Sequence, residues 1–238
     1  MPALNEHGVV GVTVSEWIRL GFLSVRVIDN GSTDGTAEEA RVAGANVVAE
    51  PIAGYGSAAR RGLQDLPPET EWVLFSSADG SDALTPAELH QWSELIAEGV
   101  DLVLGDRCST PESSAVLNLS QKVCSRLFRQ VVRAGWGRTF NDVGSLRAVR
   151  LASFATLDLQ DRGFGWNVEM QIRAIECGLR VKEIPVCFRP RRAGQSKISG
   201  TLFGTARAAT AILRILIHLW CTRRNRHRQN NASSERHP

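Results

Sequence analysis

The stretch Trp72–Asp82 reads W-V-L-F-S-S-A-D-G-S-D, and it indicates the fold class. Its first four residues are apolar without polar alternation, which is typical of a strand buried on both faces of a parallel sheet. The loop that follows contains Asp79 and a glycine, Gly80, that allows a sharp bend. Open α/β sheets bind ligands beyond the carboxyl ends of their strands, where this loop is expected. It is either a loop whose carboxylate holds a divalent cation and a diphosphate, or a solvated turn.

Short apolar runs and helical segments alternate on both sides of this stretch. Strands are predicted at 24–28, 46–49, 72–75 and 101–104, with helices at 8–20, 36–43, 57–66 and 85–97 between them. This alternation predicts an α/β fold of Rossmann type, with a mostly parallel sheet that carries helices on both faces. Two helix starts resemble capping boxes, in which Thr36 precedes Glu39 and Thr85 precedes Glu88.

After Arg107 the pattern changes. It predicts one long helix over 114–134, a short helix near Leu151, a helix over 166–177 and a strand over 181–188. Because proline cannot donate to a strand ladder, Pro185 places the last strand at an edge of the sheet.

Composition narrows the class of protein. The 238 residues are 43% hydrophobic and 22% charged, with a net charge of +3, which fits one globular domain and does not indicate a nucleic-acid partner. The five cysteines form no C-x-x-C pair, which favours free thiols in a reducing compartment. No signal peptide is evident, and no apolar run reaches the ~20 residues that span a bilayer. We therefore expect a cytoplasmic protein, with peripheral contact to the inner face of the membrane left open.

The C-terminal part of the sequence is amphipathic and basic. Residues 201–221 form a helical pattern in which Arg207, Arg214 and His218 share one stripe and Trp220 lies among apolar residues opposite. Such a helix either lies on an anionic membrane or packs on its own domain, and both interpretations stay open. Residues 222–238 are predicted to be a basic, disordered tail.

Four polar loops are predicted at the carboxyl edge of the sheet. They are Pro2–Glu6, Asp29–Thr36, Gly54–Arg61 and Ser76–Asp82, and each is rich in small or polar residues. Several such loops on one edge favour a nucleotide site. None has the pattern of a Walker A loop or of a G-x-G-x-x-G dinucleotide loop, which weakens an interpretation as a kinase, ATPase or dehydrogenase.

The motifs in these loops resemble those of family 2 glycosyltransferases with the GT-A fold. The nucleotide and metal motifs are P-A-L-N-E (2–6), V-I-D-N-G-S-T-D-G-T (27–36), G-Y-G-S-A-A (54–59) and A-D-G-S-D (78–82). Further motifs resemble the polyprenyl-phosphate (dolichyl-phosphate) mannosyl- and glucosyltransferase branch: G-D-R (105–107), N-D-V-G-S-L-R-A (141–148), G-F-G-W-N-V-E-M-Q (163–171) and R-R-A-G-Q-S-K-I-S-G-T (191–201). The resemblance extends from Pro2 to about Trp220.

The resemblance implies a role for each matching residue. Asp79, with Ser81, would hold Mg²⁺ or Mn²⁺; Arg107 would contact an acceptor phosphate; and Asp142 would be the base if the acceptor is a hydroxyl. Asp29 would contact the base or ribose of a nucleotide. The substrate-binding residues implied in this way are Pro2, Ala3, Asn5, Glu6, Asp29, Asp34, Gly54, Gly56, Trp166, Glu169, Arg192, Ser196 and Lys197, the last three closing over phosphates.

The activity implied by the resemblance is a metal-assisted, inverting sugar transfer. The donor would be a nucleotide-diphosphate sugar and the acceptor a polyprenyl phosphate or another lipid. The transferase domain would cover residues 1–200, followed by the amphipathic helix 201–221 and the tail 222–238.

Two departures from the family pattern leave alternatives open. Ser77 stands where the metal loop usually has its first aspartate, and the hydrophobic first strand expected before P-A-L-N-E is missing, so Pro2–Glu6 is expected to be a loop. One alternative is a catalytically impaired relative that only binds nucleotide sugars. A further alternative is a nucleotidyltransferase on a similar fold.

Overall fold

The computed structural model describes residues 1–192, Thr210 and residues 213–222. In chain order the elements are β1 (Pro2–Ala3), α1 (Val10–Arg19), β2 (Arg26–Asp29), α2 (Thr36–Val42), β3 (Asn46–Ala49), α3 (Tyr55–Gly62), β4 (Trp72–Phe75), α4 (Pro86–Ala97), β5 (Leu102–Asp106), α5 (Pro111–Val116), α6 (Leu119–Trp136), β6 (Arg147–Arg150), α7 (Leu151–Phe154), α8 (Trp166–Glu176) and β7 (Val181–Pro185). Residues 213–222 are helical and are called the C-terminal helix. The predictions for Ser196, Lys197, Arg207 and the tail 223–238 lie outside the described residues.

The strands form two sheets. One has the order β1-β2-β3 with parallel pairs, and the other has the order β4-β6-β5-β7. In the second sheet β5 and β7 are parallel, whereas β6 runs antiparallel to β4 and to β5. The predicted α/β class with a mostly parallel sheet is confirmed, and β7 lies at an edge as Pro185 indicated. Strand β6 was not predicted, because the four residues R-A-V-R carry no recognisable strand period.

The start of the chain differs from the expected loop. Pro2 and Ala3 form strand β1 and pair with Ile28 and Asp29 of β2. The amide of Ile28 donates to the carbonyl oxygen of Met1 at 2.9 Å, and the amide of Asn30 donates to that of Ala3 at 2.9 Å. The carbonyl groups of Met1 and Ala3 lie beside the edge of β2. Pairing with β2 gives them hydrogen-bond partners, which they would lack in a loop. Pro2 and Ala3, expected to be part of a loop, are therefore a two-residue strand at the start of P-A-L-N-E.

One of the two predicted capping boxes forms. The Thr85 hydroxyl accepts from the Glu88 amide at 3.1 Å, and the Thr85 amide donates to the Glu88 carboxylate at 2.6 Å. The Thr36 box is wrong, because α2 begins after Gly35 and Thr36 is already helical. The Glu39 carboxylate instead accepts from the Gly11 amide at 2.8 Å, which ties α2 to α1.

The helix predicted over 114–134 is two helices. The chain breaks at Leu117 and Asn118, and α6 begins with Asn118 as its N-cap. The Asn118 side chain accepts from the Gln121 amide at 2.9 Å, and the Gln121 side chain returns a bond to the Asn118 amide at 3.0 Å. This reciprocal capping box begins a new helix at Leu119. The helix ends at Trp136, two residues later than predicted, where Gly137 adopts φ +66°.

Two apolar clusters form the core. One groups α6, α8 and the C-terminal helix, and the other groups α1, β2, α4 and β5. Strand β4 was predicted to be buried on both faces of a parallel sheet, but it pairs antiparallel with β6 and only Phe75 is fully covered. Leu216 and Leu219 of the C-terminal helix are buried in the first cluster, so this helix packs on its own domain. No helix among the described residues is both long and apolar enough to cross a bilayer.

Candidate functional site

The first two predicted loops form one unit at the ends of β1 and β2. The Asn5 amide donates to the Ser32 hydroxyl at 2.9 Å, and the Asn5 side chain accepts from the Thr33 amide at 2.8 Å. The Glu6 amide donates to the Thr36 hydroxyl at 2.8 Å. Asn5 adopts φ 50°, a left-handed conformation that asparagine tolerates better than most residues. The sequence therefore fixes the position of Asn5 and Glu6 through side chains of the neighbouring loop.

The third loop joins this unit through Asn30. Its side chain donates to the carbonyl of Glu50 at 2.9 Å and accepts from the Gly54 amide at 2.8 Å. Asp29 lies half-buried beneath these loops and accepts from the Ser32 amide at 3.1 Å. Asp34 is exposed and caps α2 through Thr36; these hydrogen bonds outweigh desolvation, so its pKa is lowered. Both acids predicted to contact the nucleotide thus lie at the expected edge of the sheet.

Gly54 and Gly56 meet a neighbouring segment of the chain. A Cβ at Gly54 would collide with the carbonyl oxygen of Arg162, and one at Gly56 with that of Asp161. The Gly56 and Ser57 amides donate to carbonyls of residues 163 and 162 at 3.2 and 3.0 Å. These glycines therefore allow α3 to approach the 161–163 segment, a role different from the predicted contact with substrate.

Asp79 is buried in the fourth loop and interacts with an arginine. Its Oδ1 accepts from the amide and the hydroxyl of Ser81 at 3.0 and 2.6 Å. Its Oδ2 lies 2.9 Å from Nη1 of Arg191. Nη2 of the same guanidinium donates to both oxygens of the Glu6 carboxylate, at 2.8 and 3.0 Å. One guanidinium therefore bridges the first and fourth loops, and we call Glu6, Asp79 and Arg191 the bridged triad.

The donor atoms around Asp79 fit a hard divalent cation. They are the Asp79 carboxylate and the Ser81 hydroxyl, and Mg²⁺ and Mn²⁺ accept oxygen ligands of both kinds. The Asp82 carboxylate of this loop binds the Ser77 amide and the Ser145 hydroxyl, and Oδ2 of Asp79 already binds Arg191. A cation would therefore share this oxygen with the guanidinium or displace it.

The segment after β7 lies across the Asp79 loop. The Arg189 amide donates to the Ser81 carbonyl at 2.9 Å, and Phe188 pairs with Asp82 in an isolated bridge. Arg192 was predicted to contact phosphates, but its side chain forms an ion pair with Glu16.

Asp82 is a buried acid that the motif comparison did not single out. It accepts from the Ser77 amide at 2.7 Å and from the Ser145 hydroxyl at 2.6 Å. Burial raises its pKa, and these hydrogen bonds offset only part of that effect. Asp82 therefore holds the backbone of the Asp79 loop against the segment that leads into β6.

Arg107 and Asp142 form a buried, bidentate ion pair. Nε of Arg107 lies 2.6 Å from Oδ2 and Nη2 lies 3.0 Å from Oδ1, while the Ser125 hydroxyl donates to Oδ1 at 3.2 Å. Burial alone would raise the pKa of Asp142, but the charge and hydrogen bonds of Arg107 outweigh it and lower the pKa. The same pair raises the pKa of Arg107.

This geometry argues against Asp142 as a general base. Its carboxylate is ionised, inaccessible and occupied by donors on both oxygens, whereas a base must reach a substrate proton. Asp142 instead positions Arg107, whose guanidinium lies 4.8 Å from the centre of the Phe188 ring.

A second group of potential metal ligands adjoins this ion pair. Ligand atoms of Asp106, Cys108 and Asp142 lie within 4.8 Å of one another. Burial, with the charges of the two aspartates, raises the pKa of Cys108 to about 11, so its thiol stays protonated. Asp106 accepts from the Asn141 side chain at 2.8 Å, and Asp142 is committed to Arg107. Because the thiol is protonated and both carboxylates already have partners, this group is a weaker cation site than the oxygen donors around Asp79.

Glu183 provides a prediction about pH. It accepts from the amides of Asn141 and Asp142, yet burial raises its pKa from 4.5 to about 7. A group whose pKa is higher in the folded state contributes its full stabilisation at pH values below its unfolded-state pKa. That contribution is lost as the pH rises through the folded-state pKa. Between about pH 5 and about pH 8 the free energy of unfolding should fall, by up to about 3 kcal/mol from this group.

Urea unfolding across that pH range measures the effect. Glu183→Gln should remove most of the fall, and the exposed control Glu69→Gln should keep it. An unchanged slope in Glu183→Gln would show that Glu183 is ionised in the fold.

Trp166 and Glu169 lie in the core, although they were predicted to bind substrate. Trp166 packs beside Phe154 with ring centres 6.0 Å apart, and Glu169 accepts from the amides of Gln160 and Asp161 at 2.9 and 2.7 Å. Their position is explained by α8, whose apolar face is buried against α6. They shape the 160–165 segment that Gly54 and Gly56 contact.

Sequence reasoning missed Arg191 and Arg147. Arg191 stands in an R-R pair, and the sequence does not tell which member faces the site. Arg147 lies in the N-D-V-G-S-L-R-A motif; it is buried, with a pKa lowered to about 10 by desolvation, and donates to the Asn167 carbonyl at 3.0 Å. A basic residue between the apolar residues Leu146 and Ala148 was the available signal.

Known proteins align with most of the chain, although no family model matches it. An uncharacterised glycosyltransferase of Mycobacterium tuberculosis is 33% identical over 205 residues, which cover 86% of this chain and 90% of that protein. Glycosyltransferase AglJ of Haloferax volcanii is 33% identical over 194 residues, 81% of this chain, and the match spans only 63% of its length. A dolichyl-phosphate hexose transferase of the same organism is 29% identical over 210 residues, covering 87% and 88% of the two chains.

A solved structure shares the fold. It is glucosyl-3-phosphoglycerate synthase from Mycobacterium tuberculosis in complex with Mn²⁺, UDP-glucose and phosphoglyceric acid, with a TM-score of 0.71 over 92% of this chain and 77% of that one. Its sequence identity is 18%, so this likeness concerns the fold. Together with the relative that matches along 90% of its length, it confirms the resemblance seen in the loop motifs. The chain belongs to the glycosyltransferases and has the GT-A fold.

Proposed function

We propose that this enzyme transfers a sugar, with inversion, from a nucleotide-diphosphate sugar to a polyprenyl phosphate. The observation that carries the proposal is the bridged triad, in which one guanidinium joins a carboxylate of the first loop to a carboxylate of the fourth. The name of the Haloferax dolichyl-phosphate hexose transferase and the UDP-glucose bound in the solved structure support the two substrate classes.

The donor nucleotide would lie along the first three loops. Asn5, Asp29 and Asp34 would contact the base and ribose, since all three lie at the carboxyl ends of β1 and β2. Pro2 and Ala3 would support this site as part of β1. The diphosphate would lie by Asp79, where Arg191 and Arg192, with Ser196 and Lys197 from outside the described residues, would supply positive charge.

Asp79 and Ser81 would hold Mg²⁺ or Mn²⁺ beside that diphosphate. A divalent cation at this position offsets the negative charge that develops on the leaving group. Arg191 would then keep its ion pair with Glu6 and face the phosphates with its freed nitrogen.

The acceptor phosphate would bind to Arg107. Asp142 holds this guanidinium in one orientation, which lowers the entropy lost when a phosphate binds. A phosphate acceptor attacks with its own anion, so the site needs no general base, which agrees with Asp142 being fully occupied.

A screen of radiolabelled nucleotide sugars with membranes, followed by lipid extraction, tests the proposal. We expect label in the lipid phase with one class of donor. The competing hypothesis is a relative that binds nucleotide sugars without transfer, suggested by Ser77 in the metal loop. Isothermal titration that shows nucleotide binding, with no sugar released or transferred from any donor, would favour that hypothesis.

Ser77 gives a prediction about the cation. Ser77→Asp adds a further carboxylate to the Asp79 loop, and cation affinity rises with the number of charged ligands. We expect Mn²⁺ to bind about tenfold more tightly to this variant in isothermal titration. Ser24→Asp, which adds the same charge on an exposed loop, should leave the affinity unchanged. Equal Mn²⁺ affinity in the two variants would place residue 77 outside the coordination sphere.

We also propose a layout for the chain and its contact with a membrane. The transferase domain would cover residues 1–200, followed by the amphipathic helix 201–221 and the basic tail 222–238. Part of the C-terminal helix is exposed, namely Leu213, Arg214, Ile217 and His218. This mixture of apolar and basic side chains supports contact with an anionic membrane.

A further inference from the structure

Helix α6 has an apolar stripe that no described residue covers. Leu119, Val123 and Leu127 expose 77%, 47% and 55% of their surface. They are spaced four residues apart and therefore lie on one face of the helix. Large apolar side chains grouped in this way mark an interaction surface.

A basic stripe borders the apolar one. Lys122, Arg126 and Arg133 are exposed, and Arg129 is exposed at the edge of the same stripe. None of the four forms an ion pair with a residue in the described part of the chain. The sequence contains no aspartate or glutamate between Glu112 and Asp142. The outer face of α6 is thus cationic and apolar, and no acidic side chain among the described residues pairs with it.

The inner face of α6 fixes the orientation of this surface. Phe128, Val132 and Trp136 are buried in the core, and Ser125 donates to Asp142 at 3.2 Å. Trp136 also contacts Trp220 of the C-terminal helix, with ring centres 6.1 Å apart. The helix cannot rotate to bury its apolar stripe without breaking these contacts.

We propose that the outer face of α6 docks on an anionic phospholipid bilayer. A bilayer surface accepts the apolar side chains among its acyl chains and pairs the basic side chains with its head groups. A second copy of this chain fits less well, because a two-fold interface would set the basic stripe against itself. Docking here extends the proposed membrane contact from the C-terminal helix to a second surface.

The position of α6 links docking to the acceptor site. Its inner face contacts Asp142, which orients Arg107, so a bilayer on the outer face lies one helix away from that guanidinium. If the acceptor is a lipid phosphate, which rests on the proposed function, docking brings the membrane to the side of the protein where that phosphate is needed.

Vesicle flotation of the full chain tests the inference. Vesicles of phosphatidylcholine with and without phosphatidylglycerol are used, lacking polyprenyl phosphate and without nucleotide sugar, so the result does not depend on sugar transfer. We expect binding only with phosphatidylglycerol. Lys122→Gln, Arg126→Gln and Arg133→Gln combined should weaken it about 100-fold, because each basic residue near an anionic surface contributes roughly a factor of five.

A second variant and two controls make the test specific. Leu119→Ser, Val123→Ser and Leu127→Ser combined should weaken binding at least about tenfold by removing apolar contact. One control changes the exposed apolar residues of other helices, combining Val12→Ser, Ile18→Ser and Val42→Ser. The other combines Arg19→Gln, Arg41→Gln and Lys182→Gln, all exposed. Both controls should bind like the wild type, and melting temperatures verify that every variant folds.

Three results would overturn the inference. They are absence of binding to phosphatidylglycerol vesicles, equal loss of binding in the variants and their controls, and a wild-type dimer that the α6 variants convert to monomer. The last result would make this face an interface between copies of the chain.

Discussion

The Asp79→Asn variant should lose at least about 100-fold in kcat for sugar transfer while keeping its fold. The substitution preserves the shape of the side chain, and Oδ1 can still accept from the amide and hydroxyl of Ser81. It removes the negative charge that faces Arg191 and that a divalent cation would need. Since the proposed transition state carries its charge on the diphosphate, the loss should fall on kcat.

The control for this variant is Asp65→Asn. Asp65 is exposed and its side chain pairs with Arg61 on α3, so its neutralisation should leave transfer unchanged. Radiolabel transfer measures activity, and circular dichroism with thermal melting verifies the fold. Transfer at the wild-type rate in Asp79→Asn would reject the role proposed for this carboxylate and favour another site for the diphosphate.

The second large effect is expected at Arg107. Arg107→Ala leaves the buried carboxylate of Asp142 without its partner, and such a loss costs about 3–5 kcal/mol of folding stability. It also removes the proposed contact to the acceptor phosphate, so transfer should fall at least about 100-fold. Urea unfolding measures the first effect and lipid-linked label measures the second.

A double variant separates the two effects. Arg107→Met combined with Asp142→Leu replaces the ion pair by apolar side chains, which should restore most of the stability but not the transfer. The pKa of Asp142 is lowered in the fold, so its stabilisation is present above the unfolded pKa and is lost as the pH falls through the folded value. Stability of the wild type should therefore fall in acid more steeply than that of the double variant. Full transfer activity in the double variant would exclude Arg107 from the acceptor site.

Local rules predicted much of this fold because local contacts determine it. Thr85 and Glu88 form the predicted capping box, and α6 ends within two residues of the predicted position. The polar loops at the strand ends meet because parallel strands end at the same edge of a sheet.

The remaining features depend on tertiary partners. Glu39 was predicted to cap its own helix, but its carboxylate binds the Gly11 amide of another helix. Arg191 binds Glu6 and Asp79, and no residue near Arg191 in the sequence indicates these contacts. The motif around Trp166 predicted that it binds substrate, but its side chain is buried in the core with residues of α8. A motif gives the residue type at a position, and packing decides which way its side chain points.

The ion pair between Glu6 and Arg191 has a consequence for how the site forms during synthesis. It joins residues 185 positions apart, so the two ends of the described domain must meet before the contact exists. Contacts of such sequence separation form late, because closing a long loop costs entropy that only the finished fold repays. On the ribosome, the loops that hold Glu6 and Asp79 emerge well before Arg191. A nascent chain therefore carries two unbalanced carboxylates at this edge, and the site gains its cationic side chain only in the last stage of folding.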